Sequence, residues 1–322
     1  MSIIEKAIEK LHVDQTDKRG ELAEEFGRSL DSDVDASAAA QAPADQQGQP
    51  AASAGSEPTG SAAGKRNKTV VELPLGYLKS LGMVTPDDPR SRVAEENRII
   101  KRPLLMNIAG KGATKVDNPN LIMVTSAQPG EGKTFSAINL AISIAMEQDK
   151  TVLFVDADVA KASAAALLGI PDDYPGLIDL LMEKGTRISD VLLHTSIPNL
   201  RILPAGHAHE RSTELLASEG MQRLMIELAQ RYPDRVIIFD SPPILFTTEA
   251  GVLANLMGQI VFVVAEKQTP QSKVVEALSH LGEEKVIGLL LNKSTNTRNG
   301  AGGYGYGYGY GYGYGRNRTE NG

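Results

Sequence analysis

Residues 127–134, Ala-Gln-Pro-Gly-Glu-Gly-Lys-Thr, have the types and order of a phosphate-binding loop with alanine at its first position. Each type has a chemical reason. Gly130 and Gly132 let backbone N–H groups turn inward around phosphate oxygens. A helix starting there adds partial positive charge. Lys133 has the length to reach the β- and γ-phosphates, and the Thr134 hydroxyl is placed to bind Mg²⁺. Glu131 and Phe135 complete the predicted nucleotide-binding set. Two further segments end in acid. Residues 152–155 run into Asp156-Ala157-Asp158, and residues 236–239 run into Asp240-Ser241-Pro242-Pro243. Asp240 and Asp158, with Thr134, are the predicted Mg²⁺ partners, because the loop needs a carboxylate beside the metal.

These residues need a scaffold that brings three strand ends to one edge. Short apolar runs at 121–125, 151–156, 200–204, 236–240, 260–265 and 286–292 read as buried strands. Helical patterns at 135–147, 212–231 and 271–282 separate them. The alternation predicts an α/β fold, a P-loop NTPase with a mostly parallel, doubly wound sheet. Ligands of such sheets bind at the carboxyl ends of the strands, where all three motifs fall. A helix is predicted over 88–102, with Pro103 setting its end.

The predicted organisation has four parts. Residues 1–12 form an amphipathic helix with Ile3, Ile4, Ala7, Ile8 and Leu11 on one face. So short a helix needs something to dock on, either its own domain or a partner or membrane surface. Residues 13–69 are a largely disordered linker, Ala-, Ser-, Gln-, Gly- and Pro-rich over 31–67. The catalytic domain spans 70–295. Residues 296–322 form a flexible tail in which Gly alternates with Tyr304, Tyr306, Tyr308, Tyr310, Tyr312 and Tyr314, six of the nine tyrosines in the chain.

Composition narrows the class. The chain has 322 residues, is 41% hydrophobic and carries a net charge of −7, which gives no overall basic signature for nucleic acid. Cysteine is absent, which excludes disulfides and thiolate metal sites and fits a reducing compartment. No apolar run reaches the ~18–20 residues of a membrane helix. The N-terminus has charges where a signal peptide would have an apolar core. A cytoplasmic protein is expected, reaching the inner face of the membrane only through a partner. His194, His207 and His209 have no metal-ligand spacing and read as ordinary polar residues.

The loop, the two acidic strand ends and the terminal tyrosines together resemble the bacterial tyrosine kinases (BY-kinases) over about residues 90–315. The N-terminal Met-Ser-Ile-Ile-Glu-Lys-Ala stretch is similar to tyrosine autokinases of exopolysaccharide loci associated with exosortase and PEP-CTERM sorting. The resemblance implies a MinD/ParA-like P-loop fold with ATP and Mg²⁺. It makes 156–158 the Walker A′ motif and 240–243 the Walker B motif, and the six tail tyrosines the autophosphorylation sites; the reach of the tail predicts that they are used in trans. It implies a membrane polysaccharide co-polymerase as activator, a tyrosine phosphatase as counterpart, and self-assembly through a Glu-x-x-Arg-x-x-Arg helix. Glu95, Arg98 and Lys101 match that pattern with Lys in the last place. By spacing alone the trio is an ordinary helical ion-pair face. After Walker A′ the family's Arg-Pro is absent, and Lys161 stands at a shifted position.

In the expected chemistry Lys133 stabilises the transferring phosphoryl group and Asp156 takes the tyrosine proton while Asp158 supports Mg²⁺, or the two aspartates exchange roles. Asn292, ending the last strand, is either an adenine contact or a strand-end turn residue. The competing reading is a MinD/ParA-type ATPase switch. It fits less well, because such switches carry a second Lys early in the loop, where this chain has Gln128.

Overall fold

The computed structural model describes residues 70–171, 173–183, 185–231, 235–282 and 285–294. The expectations for residues 1–12, for the linker to 69 and for the tail with its six tyrosines lie outside the described residues.

Eight strands form one sheet in the order β1-β4-β5-β3-β6-β2-β7-β8. They are β1 (Val70–Val71), β2 (Leu121–Ser126), β3 (Thr151–Asp156), β4 (Leu193–Thr195), β5 (Leu200–Leu203), β6 (Arg235–Asp240), β7 (Gln259–Ala265) and β8 (Val286–Asn292). From β5 to β8 every pairing is parallel. The β4 strand pairs antiparallel to β5, and β1 adds parallel to β4, so this one edge runs backwards. All six predicted strands are present, and the short β1 and β4 are additions. The fold is the expected P-loop α/β class with a mostly parallel sheet.

The sheet is covered on both faces, so alternate residues of one strand enter different cores. Ile122 and Val124 pack with α3 (Lys133–Ala145), whereas Leu121 and Met123 pack against α8 (Glu219–Arg231) and α9 (Thr248–Leu256). Val152 and Phe154 divide from Leu153 and Val155 in the same way. This explains why the strands read as unbroken apolar runs rather than as alternation. Helix α3 is the central helix: Ala137, Ile138, Leu140, Ala141, Ile142 and Ile144 are all buried, and it starts directly at the phosphate loop. The remaining helices are α1 (Leu75–Ser80), α2 (Arg92–Ile108), α4 (Ser163–Leu168), α5 (Leu177–Met182), α6 (Ile188–Val191), α7 (Ser212–Leu216) and α10 (Gln271–Ser279).

Two local expectations are corrected. The helix expected over 212–231 is two helices. Ser218 divides them, its hydroxyl donating to Leu215 O at 2.7 Å and accepting from Met221 N at 3.3 Å, so it ends one helix and caps the next. The helix expected over 88–102 begins later, where Ser91 Oγ accepts from Ala94 N at 3.3 Å, and it continues through Pro103 to Ile108. Pro103 removes the N–H that would meet the Ile99 carbonyl, but Ile99 is 64% exposed, on the side where water can take up that carbonyl. Beyond Pro103 the helix is held by burial of Leu104 and by Asn107 Nδ2, which donates to Gln259 Oε1 of β7 at 2.7 Å.

The structure also places Glu95, Arg98 and Lys101, the expected assembly trio. A six-residue separation turns a helix by about 600°, so Lys101 points roughly 120° away from Glu95. Glu95 and Arg98 pair in solvent. Lys101 is buried against α3, donating to Ser143 O at 2.6 Å and pairing with Glu147 Oε1 at 2.5 Å. It is a strut between α2 and α3, and with Glu95, Arg98 and Glu147 it also lines one open cavity beside α2.

Two substitutions test these assignments by urea unfolding. Pro103→Ala restores the missing N–H and is expected to stabilise the protein by about 1–3 kcal/mol. Lys101→Ala leaves the buried Ser143 carbonyl unsatisfied and is expected to cost about 1–3 kcal/mol.

Candidate functional site: a phosphate loop facing three buried aspartates

The site lies at the carboxyl edge of β2, β3 and β6. Parallel register sets Asp156 directly beside Asp240, and Asp240 beside Val124. Backbone bonds continue the alignment past the strand ends: Ala157 N donates to Asp240 O at 2.8 Å, and Ile244 N to Ser126 O at 2.9 Å. The phosphate loop leaves β2, which lies between β6 and β7. Gly130 and Gly132 take φ values of 82° and 96°, a left-handed conformation that L side chains rarely adopt. A Cβ on Gly132 would also lie 2.0 Å from Asn292 Nδ2. Both glycines are therefore required by the backbone.

Lys133, Asp156, Asp158 and Asp240 are all buried, which brings three carboxylates and one ammonium group into a nearly dry site. Lys133 Nζ pairs with Asp158. Asp156 Oδ1 accepts from Asp158 N at 3.2 Å, while its Oδ2 has no partner; neither oxygen of Asp240 has one. Burial raises the Asp156 carboxyl well above its ordinary range, with the charges of Asp240 and Asp158 adding to it and Lys133 opposing. Burial likewise lifts Asp240 to about 7, against the pull of Lys133. Orphaned buried carboxylate oxygens are costly and mark a place for a cation. Thr134 Oγ1, in the first turn of α3, lies 3.3 Å from Ser163 Oγ at the start of α4.

These residues fit Mg²⁺ bound together with a triphosphate. Mg²⁺ takes one or two carboxylates and leaves its other positions to phosphate oxygens and water, so it does not need a full protein cage. Among the described residues no cluster of three acidic or imidazole groups forms such a cage. Asp240 and Thr134 are the natural holders, and Asp158 is engaged with Lys133. Phe135 packs its ring against the core, which leaves only its backbone for a nucleotide. Asn292 Nδ2 donates to Glu131 O at 2.9 Å, so here it braces the phosphate loop. His207 donates its backbone N–H to Asp179 and pairs with it through Nδ1 at 2.7 Å, away from any metal-ligand group.

Sequence reasoning missed Thr269, Gln268 and Lys293. The Thr269 hydroxyl bonds the Glu131 carboxylate, and Lys293 Nζ donates to Gly130 O at 2.7 Å. Their separation from the loop, 138 residues for Thr269 and 163 for Lys293, left no local signal. Only the adjacency of Lys293 to Asn292 could have pointed there.

A P-loop helix start, a strand-end carboxylate opposite it and a parallel sheet define a P-loop nucleotide-binding protein. A family profile described as an AAA domain matches residues 120–280. The chain is 30% identical over 217 residues to the putative tyrosine-protein kinase CapB of Staphylococcus aureus, covering 67% of this chain and 90% of that one. It is 32% identical to the succinoglycan biosynthesis transport protein ExoP of Rhizobium meliloti (strain 1021) over 71% of this chain, but spans 28% of ExoP. The crystal structure of the chimerical protein CapA2B2 superimposes with a TM-score of 0.57 at 25% identity, over 70% of this chain and 93% of that one. The chain belongs to the bacterial tyrosine kinase family. Its enzyme class is that of ATP-dependent protein-tyrosine kinases.

The raised Asp240 carboxyl gives a pH signature in metal-free protein. A carboxyl whose folded pKa lies above its unfolded value contributes stability below the unfolded pKa, near 3.8, and loses it as pH rises through about 7. Asp240→Asn removes this dependence. It is expected to raise stability by about 1–3 kcal/mol at pH 8 and by progressively less toward pH 4, read from thermal melts in EDTA.

Proposed function

We propose that this protein is a tyrosine autokinase that transfers the γ-phosphate of ATP to the tyrosines of its own C-terminal tail, in trans. The observation that carries the reading is the buried Asp156 Oδ2, unpartnered beside Asp240 and Lys133 at the mouth of a phosphate loop. A tyrosine hydroxyl is a weak nucleophile, so transfer depends on positioning, on charge stabilisation and on a group that takes the proton.

In the step, tyrosine Oη attacks the γ-phosphorus as the bond from that phosphorus to the β,γ-bridging oxygen breaks. Phosphotyrosine forms, ADP departs with the bridging oxygen, and the hydroxyl proton passes to Asp156. Asp156 suits this role because its surroundings favour the protonated product. Asp240 and Thr134 would hold a Mg²⁺, which would supply positive charge beside the phosphates and favour the ionised form of nearby carboxyls. Lys133 and the N–H groups of Gly130–Thr134 meet the charge on the phosphates. Lys133 is shared with Asp158, which orients the ammonium group.

The tail's maximum reach allows transfer between copies. From Asn292 to Tyr304 the chain reaches at most roughly 40 Å, and to Tyr314 about 75 Å. Those distances suffice to cross into a neighbouring subunit. The Glu95–Arg98 face of α2 would hold the neighbour. Each phosphate adds about −1.5 to −2 charges, so full modification of the tail opposes close packing of chains. A phosphatase would reverse it. The relationship to a succinoglycan biosynthesis transport protein supports a role in exopolysaccharide production or export. Among the described residues no helix is long and apolar enough to cross a membrane. A membrane polysaccharide co-polymerase is the proposed activator, recruiting a cytoplasmic kinase to the inner face.

Two experiments test this. Lys133→Met chains are mixed with active chains whose six tail tyrosines are Phe, and phosphate is mapped by mass spectrometry. Label on the Lys133→Met tails is expected; its absence, with association demonstrated, rules out transfer in trans. Placing Asp at Ile4 and Ile8 is expected to abolish activation by the membrane partner while the melting temperature stays near wild type. A large fall in melting temperature would assign that face to the protein's own domain.

A further inference from the structure

The outer side of the phosphate loop is held by groups that the transfer chemistry does not use. Lys293 Nζ donates to the Gly130 carbonyl at 2.7 Å and to Gln268 Oε1 at 3.2 Å. Asn292 Nδ2 donates to the Glu131 carbonyl at 2.9 Å. The Glu131 carboxylate accepts from Gln128 N at 2.8 Å and from the Thr269 hydroxyl. In a tight loop the carbonyl and N–H groups of one peptide point opposite ways. Holding the carbonyls of Gly130 and Glu131 outward therefore turns the following N–H groups inward, where phosphate oxygens bind.

A second, independent feature falls at the same place. Lys293 has a φ of 55°, and Lys267, two residues before Thr269, has a φ of 60°. Few residues other than glycine adopt this conformation. It persists where surrounding contacts hold it, and it concentrates at functional sites. At Lys293 it directs a side chain from the end of the last strand back onto the loop. The same segment leads into the tyrosine tail.

We propose that Lys293 is a positioning residue of the nucleotide site, an outer lock that fixes the Gly130 carbonyl outward so that the loop is formed before a triphosphate arrives. The lock acts on nucleotide affinity and not on the transfer step, since Lys293 touches loop backbone and none of Lys133, Asp156 or Asp240. The inference rests on ATP phosphates occupying this loop.

Three variants separate a lock from a structural contact. Lys293→Gly removes the side chain while accepting the left-handed backbone, so its melting temperature is expected to equal or exceed wild type. Its Kd for a fluorescent ATP analogue with Mg²⁺, and its KM for ATP, are expected to rise about five- to tenfold, with kcat within about twofold. Lys293→Ala should show the same affinity loss with a lower melting temperature than Lys293→Gly, because alanine keeps the strain that glycine relieves. Lys293→Arg should restore binding to within about twofold. Wild-type affinity in Lys293→Gly overturns the lock, as does an equal loss in Lys293→Arg. If wild-type protein does not bind the nucleotide at all, the phosphate-site reading falls and takes the lock with it.

Discussion

Three carboxylates share one buried ammonium group at the carboxyl edge of the sheet, and most of the fold exists to keep them there. Asp156 and Asp240 are side by side because β3 and β6 are parallel and in register. Parallel strands with buried ends need covering on both faces, which explains why α3 is almost wholly buried and why the second core is built from α8, α9 and α10. Like charges this close, away from water, favour protons or a cation. The raised carboxyl of Asp156 and the unpartnered oxygens of Asp240 are the static trace of that demand.

The phosphate loop meets the opposite demand. Its N–H groups must be free while everything else about it is fixed. Gly130 and Gly132 allow the turn, but they also make the loop floppy in isolation. Rigidity comes from outside, through Thr269, which holds the loop's Glu131 carboxylate, and through Asn292 and Lys293; these three come from β8 and the turns after β7 and β8. The edge of the sheet that leads into the tyrosine tail is thus also the edge that supports the nucleotide loop.

Helix α2 shows how residues of one sequence pattern can be held in different ways. Glu95 and Arg98 lie in solvent, and the next residue of the pattern, Lys101, rotates into the contact with α3. A Lys can make that strut because its apolar stem is buried while its ammonium group reaches a carbonyl and Glu147. An assembly surface on this helix would centre on Glu95 and Arg98, with the exposed Ile99 and Met106 beside them.

The sequence alone determined the loop, the two acidic strand ends, six of eight strands and the α/β class, because each is local. Buried parallel strands are unbroken apolar runs, and phosphate loops need glycines at fixed offsets. The short β1 and β4 were not legible, since two or three residues carry no periodicity. Pro103 misled because the cost of a missing N–H depends on whether water reaches the orphaned carbonyl, and that is a tertiary fact. Which aspartate pairs with Lys133, that Asn292 and Lys293 grip the loop, and that Lys101 is buried were decided only by folding. These contacts join residues 25 to 163 positions apart, and no local pattern encodes a distance of that kind.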